Sequence, residues 1–176
     1  MQNLRIWVIF LCIIIARGLH GSEDRYEARE FPCPIPVSVE GRLCILNLYH
    51  FGPLNRYRSA IMDAAMHYDL DPYLIAGIIW QESKGRRYVT GGVGEAGLMQ
   101  IRPEYHLLGV HRRLWYSPWT NIMRGSRYLK HCIVLKRSLR RGISCYNTGE
   151  NNPWINAAYV NNVLGYRNTF SKHFKL

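Results

Sequence analysis

The sequence IIWQESKGRRYVTGGVGEAGLMQI, residues 78–101, joins a segment of helical character to a glycine-rich one. The helical part belongs to a segment that begins at Asp71-Pro72, a pair that predicts a helix N-cap and first turn. Gly85 is expected to end this helix, because glycine commonly follows the last helical turn. The stretch therefore predicts a helix that runs directly into a glycine-rich loop.

The glycines of that loop, Gly92, Gly94 and Gly97, have the G-x-G-x-x-G spacing that can wrap the pyrophosphate of a dinucleotide. That motif requires a strand before it and an acidic residue about twenty positions after it. Here a predicted helix precedes the loop, and no acidic residue lies between Glu104 and Glu150. The Gly-Lys-Ser/Thr ending of a P-loop is also missing. We therefore expect no nucleotide site and no cofactor.

Glu82 lies on the apolar side of the predicted helix, since it follows Ile75, Ile78 and Ile79 by seven, four and three residues. Burial disfavours the charged form of a carboxylate, and the negative end of the helix dipole acts in the same direction. The pattern predicts a glutamic acid with a raised pKa that can donate a proton near neutral pH. The alternative is a Glu82 that reaches solvent at a frayed helix end or pairs with a neighbouring Lys or Arg.

Apolar residues recur at helical spacing in three other segments: from Pro53 to Tyr68, from Thr120 to Arg137, and from Pro153 to about Leu164. The chain has no strand long enough for a parallel sheet, no internal repeat and no low-complexity tract. A chain of 176 residues can bury one sizeable core. The sequence thus predicts a single, mostly α-helical domain over residues 53–170, preceded by an extended lead-in, residues 22–52.

The N-terminal segment, residues 1–21, has the pattern of a secretory signal peptide. Arg5 precedes an apolar run from Ile6 to Ala16, and small residues follow Arg17. A membrane-spanning helix needs ~20 apolar residues, so a permanent anchor is the less favoured alternative. We expect export to the periplasm or cell wall, with membrane contact only through this segment.

Without Cys12 in the signal segment, an even number of cysteines remains: Cys33, Cys44, Cys132 and Cys145. Disulfides persist outside the cytosol. Four cysteines allow three pairings, and the sequence does not choose among them. Proximity along the chain favours Cys33 with Cys44 and Cys132 with Cys145; the alternative for the second pair is two small buried thiols.

The formal net charge is +11, and residues 111–176 contain twelve Lys or Arg and one acidic residue, Glu150. Such a surface suits nucleic acid, anionic lipid or an anionic wall polymer, although a solvated basic face is the alternative. Nucleic acid is not expected, because the aromatic residues fall at helical core spacing and not among the basic ones. The histidines are scattered and no Cys/His spacing suggests zinc, so no metal site is expected.

Four short motifs occur in order within residues 55–166. The opening stretch holds a Glu-Ser pair at Glu82-Ser83 and a Gly-Leu-Met-Gln motif at 97–100. Residues 145–149 are CYNTG, and Tyr159-Val160 lies in the last predicted helix. These motifs and their order resemble the soluble lytic transglycosylase domain family, in which the first two belong to the catalytic core and the last is the Tyr-Val of the final helix. The CYNTG segment is similar to the family's Ala-Tyr-Asn-x-Gly, except that Cys145 replaces the alanine.

This resemblance implies an all-α, lysozyme-like fold of the goose-type and SLT kind. It also implies cleavage of the β-1,4 bond between N-acetylmuramic acid and N-acetylglucosamine in peptidoglycan, which leaves 1,6-anhydromuramoyl ends. Glu82 would be the single catalytic acid/base, and the Ser83 hydroxyl would help to orient it. Six further residues are implied: Gly97, Met99 and Gln100 in the loop that lines the sugar cleft, and Tyr146, Asn147 and Tyr159 around the carboxylate and the muramoyl subsite.

Two alternatives stay open beside this interpretation. A goose-type lysozyme would hydrolyse the same bond with water, and it would need a second carboxylate, for which Glu95 is the nearby candidate. The chain could instead be a non-catalytic module that binds the wall or nucleic acid. Small exported enzymes of this family often accompany secretion or conjugation machines, so the resemblance implies such an apparatus as a partner and local wall remodelling as the role.

Overall fold

The structure of the protein, a computed structural model, describes residues 50–172. The predicted signal peptide, residues 1–21, lies outside this range. So does the greater part of the predicted lead-in, residues 22–49, together with Cys33 and Cys44. The predictions made for these segments therefore stay predictions.

The described part of the chain is α-helical, as predicted. It has no strand, and its extended backbone pairs only in isolated bridges between Thr90 and Ala96 and between Ala96 and Ile101. Short 3-10 segments span Gly52–Tyr57 and Arg112–Leu114. The α-helices, in chain order, are α1 (Arg58–Tyr68), α2 (Pro72–Ser83), α3 (Pro103–His106), α4 (Pro118–Lys136), α5 (Leu139–Thr148) and α6 (Ala157–Ser171).

Helix α2 begins as its sequence predicts. The Asp71 carboxylate accepts a hydrogen bond from the Tyr73 backbone N–H at 2.8 Å, and Pro72 occupies the first turn. The helix ends at Ser83, and Lys84 already has the left-handed conformation, with φ 54°. The sequence predicted burial of one apolar face of this helix. In the structure, every residue from Pro72 to Ile79 is buried, on all sides of the helix. Helix α2 is therefore the central helix of the core.

Helices α2 and α6 cross closely. A Cβ atom on Gly77 would lie 2.8 Å from the Val163 backbone oxygen, so only glycine permits this approach. The Arg167 Nε atom of α6 donates to Asp71 Oδ2 at 2.6 Å, which ties α6 to the start of α2. Helix α4 packs against both α1 and α5. None of the helices in residues 50–172 is long and apolar enough to cross a membrane.

Helices α5 and α6 differ from the sequence-based expectation. Helix α6 begins at Ala157, four residues after the expected Pro153, because the Asn156 side chain caps it by accepting from the Tyr159 N–H at 3.1 Å. It also continues past Leu164 to Ser171. Helix α5, capped by Ser138, was not predicted as a helix. Helix α4 agrees with the expected 120–137 to within two residues at either end.

A disulfide between Cys132 and Cys145 joins α4 to α5, with 5.7 Å between the two Cα atoms. This confirms the predicted pairing of these two cysteines and excludes the alternative of two separate thiols. The bridge also accounts for the cysteine at position 145, where the resembling family has alanine. Because Tyr146 and Asn147 follow directly, the covalent link anchors the part of α5 that carries two of the expected site residues.

Candidate active site

A cavity of about 1190 Å³ opens between the end of α2, the loop of residues 90–101, helices α3 and α4, and the chain after α5. Glu82 and Glu95 both border it, on α2 and on the glycine-rich loop respectively. Gln100, Tyr146 and Asn147 border it as well. The cavity thus brings Glu82 together with the Gly-Leu-Met-Gln motif and with the Tyr-Asn motif, which are far apart in sequence.

The Glu82 carboxyl is half-buried in the last turn of α2. Burial raises its pKa, the hydrogen bond from Tyr159 lowers it, and the charge of Glu95 raises it further. Lys84 lowers it slightly, and the net effect is a pKa above the ordinary value. Burial is thus the main cause, as the sequence predicted. A carboxyl in this environment stays protonated to a higher pH than a solvated one.

Two buried tyrosines support the carboxyl side of the cavity. The Tyr159 hydroxyl on α6 donates to Glu82 Oε1. The Tyr146 hydroxyl on α5 donates to the Met99 backbone oxygen at 2.8 Å and so holds the glycine-rich loop. Burial and the nearby Glu82 charge raise the pKa of both tyrosines well above the usual range. Both hydroxyls therefore keep their protons and act as donors.

Ser83 lies behind Glu82 and not in the cavity. Its side chain is fully buried, and its hydroxyl lies 2.8 Å from the Leu98 backbone oxygen and 3.1 Å from that of Ile79. It also accepts a hydrogen bond from the Gly85 N–H at 3.2 Å. These contacts join the end of α2 to the loop. Ser83 therefore fixes the position of the helix end that carries Glu82, without touching its carboxylate.

The loop needs glycine at position 97. Gly97 has φ +76°, and a Cβ atom there would lie 2.6 Å from the Asn121 side-chain nitrogen. Asn121 of α4 is fully buried and holds the loop by accepting from the Met99 N–H at 2.8 Å and donating to the Ala96 oxygen at 2.9 Å. The Gln100 amide donates to the Gly97 oxygen at 2.8 Å. The sequence reasoning missed Asn121, because a lone asparagine in an apolar helix carries no motif.

Most backbone N–H groups of this loop donate within the protein. Six of these donations go to backbone oxygens of the segment 89–101, from Gly91, Gly94, Ala96, Gly97, Gln100 and Ile101. The Val93 N–H donates to the Glu95 carboxylate at 3.1 Å. A phosphate-binding loop needs free N–H groups directed at the anion. The glycine spacing therefore forms a tight turn in which most N–H groups already have an acceptor within the protein.

Asn147 is exposed at the cavity, and its side-chain oxygen accepts from the Asn156 amide at 2.9 Å. Asn156 in turn caps the helix that carries Tyr159. A continuous hydrogen-bonded path therefore connects Asn147, through the start of α6, to the tyrosine that contacts Glu82. Because each link fixes the next, the Tyr-Asn motif positions Tyr159 as well as bordering the cavity.

A cluster of tilted aromatic rings borders the cavity beyond Tyr146. The Tyr128 ring lies 5.5 Å from the Tyr146 ring and 4.1 Å from that of His106, between centroids. Burial lowers the pKa of His106. His131 pairs with Glu150 at 3.1 Å. These residues could not be assigned to a site from the sequence, because they belong to no motif and only the fold brings them to the cavity.

Of the eight site residues expected from the sequence, Glu82, Gln100, Tyr146 and Asn147 border the cavity. The other four support the cavity from behind; they are Ser83, Gly97, Met99 and Tyr159. Within residues 50–172, no three His, Cys, Asp or Glu side chains come together as a metal site.

Residues 59–166 match the family model described as "Transglycosylase SLT domain". The chain belongs to this family. It is 36% identical over 89 residues to the "Transglycosylase" of Enterobacteria phage PRD1, a match that covers 50% of this chain and 33% of that protein. It is 32% identical over 132 residues to the "Membrane-bound lytic murein transglycosylase E" of Buchnera aphidicola, covering 69% of this chain and 57% of that protein.

The SLT-domain chain is also 26% identical to "Lysozyme g" of Gallus gallus, over 69% of this chain and 67% of that one. Among solved structures it resembles an inactive mutant of lytic transglycosylase Slt from Pseudomonas aeruginosa. The TM-score is 0.57 at 21% identity, over 68% of this chain and 25% of that chain. This likeness shows the all-α, lysozyme-like fold. The chain thus spans a third to somewhat over half of the two transglycosylases it matches.

Proposed function

We propose that the protein is a peptidoglycan lytic transglycosylase that uses Glu82 as its acid/base. It would cleave the β-1,4 bond between N-acetylmuramic acid and N-acetylglucosamine and leave a 1,6-anhydromuramoyl end. The observation that carries this proposal is a half-buried Glu82 with a raised pKa at the edge of the cavity, hydrogen-bonded by Tyr159. Membership of the SLT-domain family supports the choice of substrate.

The first step is a proton transfer. Protonated Glu82 donates to the glycosidic oxygen as the C1–O bond of the muramoyl sugar breaks, and the N-acetylglucosamine end leaves with the proton. The positive charge that develops at C1 is stabilised by the N-acetyl group of the same sugar. Burial of the Glu82 carboxyl favours this step because it keeps the proton in place to a higher pH than a solvated carboxyl would.

The second step uses the carboxylate that the first step produces. Glu82 removes the proton from the C6 hydroxyl of the muramoyl sugar, and the C6 oxygen attacks C1 to close the anhydro ring. No water is consumed, and Glu82 returns to its protonated form. The Tyr159 hydroxyl donates to the carboxylate, which stabilises this charged form between the two steps. Glu82 alternates between acid and base, so one carboxyl is enough.

Hydrolysis of the same bond is the second candidate, and Glu95 is the observation that favours it. Glu95 borders the cavity together with Glu82 and raises its pKa. A carboxylate in that position could hold an attacking water, as the second carboxylate of an inverting glycosidase does. The Glu95 Oε2 atom also accepts a hydrogen bond from the Val93 N–H, so the same carboxylate helps to hold the loop in its conformation.

Mass spectrometry of the soluble fragments released from purified peptidoglycan separates the two candidates. We expect wild-type protein to release fragments with 1,6-anhydromuramoyl ends, Glu82→Gln to release none, and Glu95→Gln to retain most of the activity. Fragments with reducing ends, heavier by one water molecule and lost in Glu95→Gln, would instead identify a hydrolase. Release of no fragments by the wild-type protein would refute both and leave a binding role.

We also propose that the enzyme acts outside the cytoplasm. Residues 1–21 would direct export, residues 22–52 would form a lead-in, and residues 53–170 would form the catalytic domain. The apolar run from Ile6 to Ala16 and the Cys132–Cys145 disulfide support an exported, oxidised protein. Local opening of the wall for a secretion or conjugation apparatus would be the biological role, in the periplasm or cell wall.

A further inference from the structure

Two arginines that border the cavity, Arg124 and Arg127, contact no carboxylate in residues 50–172. Two other basic side chains at the cavity each have a carboxylate partner. Arg102 pairs with Glu104 at 2.9 Å, and His131 pairs with Glu150 at 3.1 Å. The two arginines therefore present unpaired positive charge to whatever occupies the cavity.

Arg124 and Arg127 are three residues apart on α4, so their side chains leave the same side of the helix and can act on one ligand together. Arg124 is half-buried and Arg127 is exposed. The neighbouring α4 residues Gly125 and Ser126 face the core instead. The pair, which we call the arginine rim, is thus directed away from the core and towards the cavity.

The arginine rim does not tune the proposed acid. The charged groups that shift the pKa of Glu82 are Glu95 and Lys84. An arginine beside Glu82 would stabilise the carboxylate and lower its pKa, which would oppose proton donation. The positive charge of the rim is therefore available for binding, and its loss should leave the pH profile of the reaction unchanged.

We propose that Arg124 and Arg127 form a subsite for the carboxylates of the peptides attached to the glycan strand; this rests on the proposed function. A guanidinium matches a carboxylate geometrically and can bind it through two hydrogen bonds. Nucleic acid fits the same cavity poorly, because Glu95 and Glu150 also border it and would repel a continuous run of phosphates. A peptide-bearing glycan presents neutral sugars with separated carboxylates, which suits this mixture of charges.

The test compares two forms of one substrate. Soluble peptide-bearing glycan is first acetylated on its amines, and half of it is then treated with carbodiimide and excess ammonia, which converts its carboxylates to neutral amides. Initial rates are measured on both forms for the wild-type protein and for the double variant Arg124→Gln, Arg127→Gln. The matched control is Arg113→Gln, Arg141→Gln, which removes the same charge from exposed positions that do not border the cavity.

We expect the rim variant to lose ~10-fold in kcat/KM on the charged substrate, mainly through KM, the size typical of losing charge-assisted hydrogen bonds at a partly exposed site. On the amidated substrate, the rim variant should equal the wild-type protein, and the control should equal the wild-type protein on both. Equal losses on both substrates, or no loss on either, would overturn the proposal.

A binding measurement in the Glu82→Gln background separates this proposal from the proposed activity. Calorimetric titration with the same two glycans should give weaker binding of the charged form when the rim is also substituted, and unchanged binding of the amidated form. If the wild-type protein cleaves neither glycan, the proposed function fails, and this titration still decides the subsite. Affinity for the charged glycan that is unaffected by the rim substitutions would refute the subsite.

Discussion

The carboxyl side of the cavity and the arginine rim are built in opposite ways. Around Glu82, the Tyr146 and Tyr159 side chains are 8% and 6% exposed, and both hydroxyls have a protein acceptor. Arg124 and Arg127 are half-buried and exposed, and within the described range neither is held by a carboxylate. Proton transfer requires a fixed geometry of the reacting groups. Attraction of a mobile charged group requires only that the opposite charge lies close enough not to be screened. The buried hydrogen bonds from these tyrosines therefore lie on the carboxyl side of the cavity, where the geometry has to be fixed.

The largest effect is expected from Glu82→Gln, which keeps the shape of the side chain and removes its exchangeable proton. We expect kcat to fall by ~10³-fold or more, within the range found for removal of a general acid. The measurement is release of soluble fragments from peptidoglycan, with Glu104→Gln as the control because Glu104 is exposed and does not border the cavity. Activity of Glu82→Gln near the wild-type rate would assign the proton donor to another group, first of all Glu95.

Tyr159→Phe tests whether the buried hydroxyl matters to the acid. The Tyr159 hydrogen bond lowers the pKa of Glu82, so its removal should raise that pKa further and move the alkaline limb of the kcat/KM profile to higher pH. We expect kcat to fall by roughly ten-fold, since the carboxylate that forms in the first step loses a donor. Tyr88→Phe, at a largely exposed tyrosine, is the control. An alkaline limb that stays in place would show that Tyr159 only fills space.

The disulfide should matter to stability more than to chemistry. Replacing Cys132 and Cys145 together with alanine should lower the free energy of unfolding by ~3 kcal/mol, the loss associated with a loop of this length. Denaturant titration of the variant and of the wild-type protein, each in oxidised and in reduced form, measures it. The two reduced proteins should match, because any Cys33–Cys44 bond is then open in both. If the two oxidised proteins have the same midpoint, α5 is held without the bridge.

The smallest effect concerns the cost of burying Glu82. Its pKa is raised in the folded protein, so its contribution to stability is present below the unfolded pKa of about 4.3 and is lost as the pH rises through the folded pKa. The Glu82→Gln variant has no such dependence. Its free energy of unfolding should therefore rise relative to the wild-type value as the pH increases from the unfolded pKa through the folded pKa. A difference that is constant with pH would mean that the carboxyl is solvated.

The sequence was sufficient to predict helix α2 and the position of Glu82 on it. Asp71-Pro72 defines the start of α2, and the spacing of Ile75, Ile78 and Ile79 places Glu82 on the core side, because both signals are local. The all-α class follows from the same periodicity. These features depend on residues within two or three helical turns, and local patterns report such features well.

Features that depend on distant contacts were missed. Helix α5 combines Gly142 with several residues of modest helix propensity, so packing and the disulfide stabilise it more than its own sequence does. The role of Asn121 depends on its hydrogen bond to the Met99 N–H, which is 22 residues away in the sequence and which no local pattern predicts. The arginine rim could not be predicted for a related reason. In the sequence, Arg124 does not differ from the other basic residues, and only the cavity beside it indicates a binding role.

The bridge between Cys132 and Cys145 has a practical consequence for anyone who prepares this protein. Expression in a reducing cytoplasm would leave both thiols free, whereas secretion or oxidative refolding would close the bond next to Tyr146. Alkylation of the free thiols followed by peptide mapping reports the fraction of molecules in which this bond has formed, because it separates Cys132 and Cys145 from the other cysteines. Specific activity is best compared between batches after normalising to that fraction.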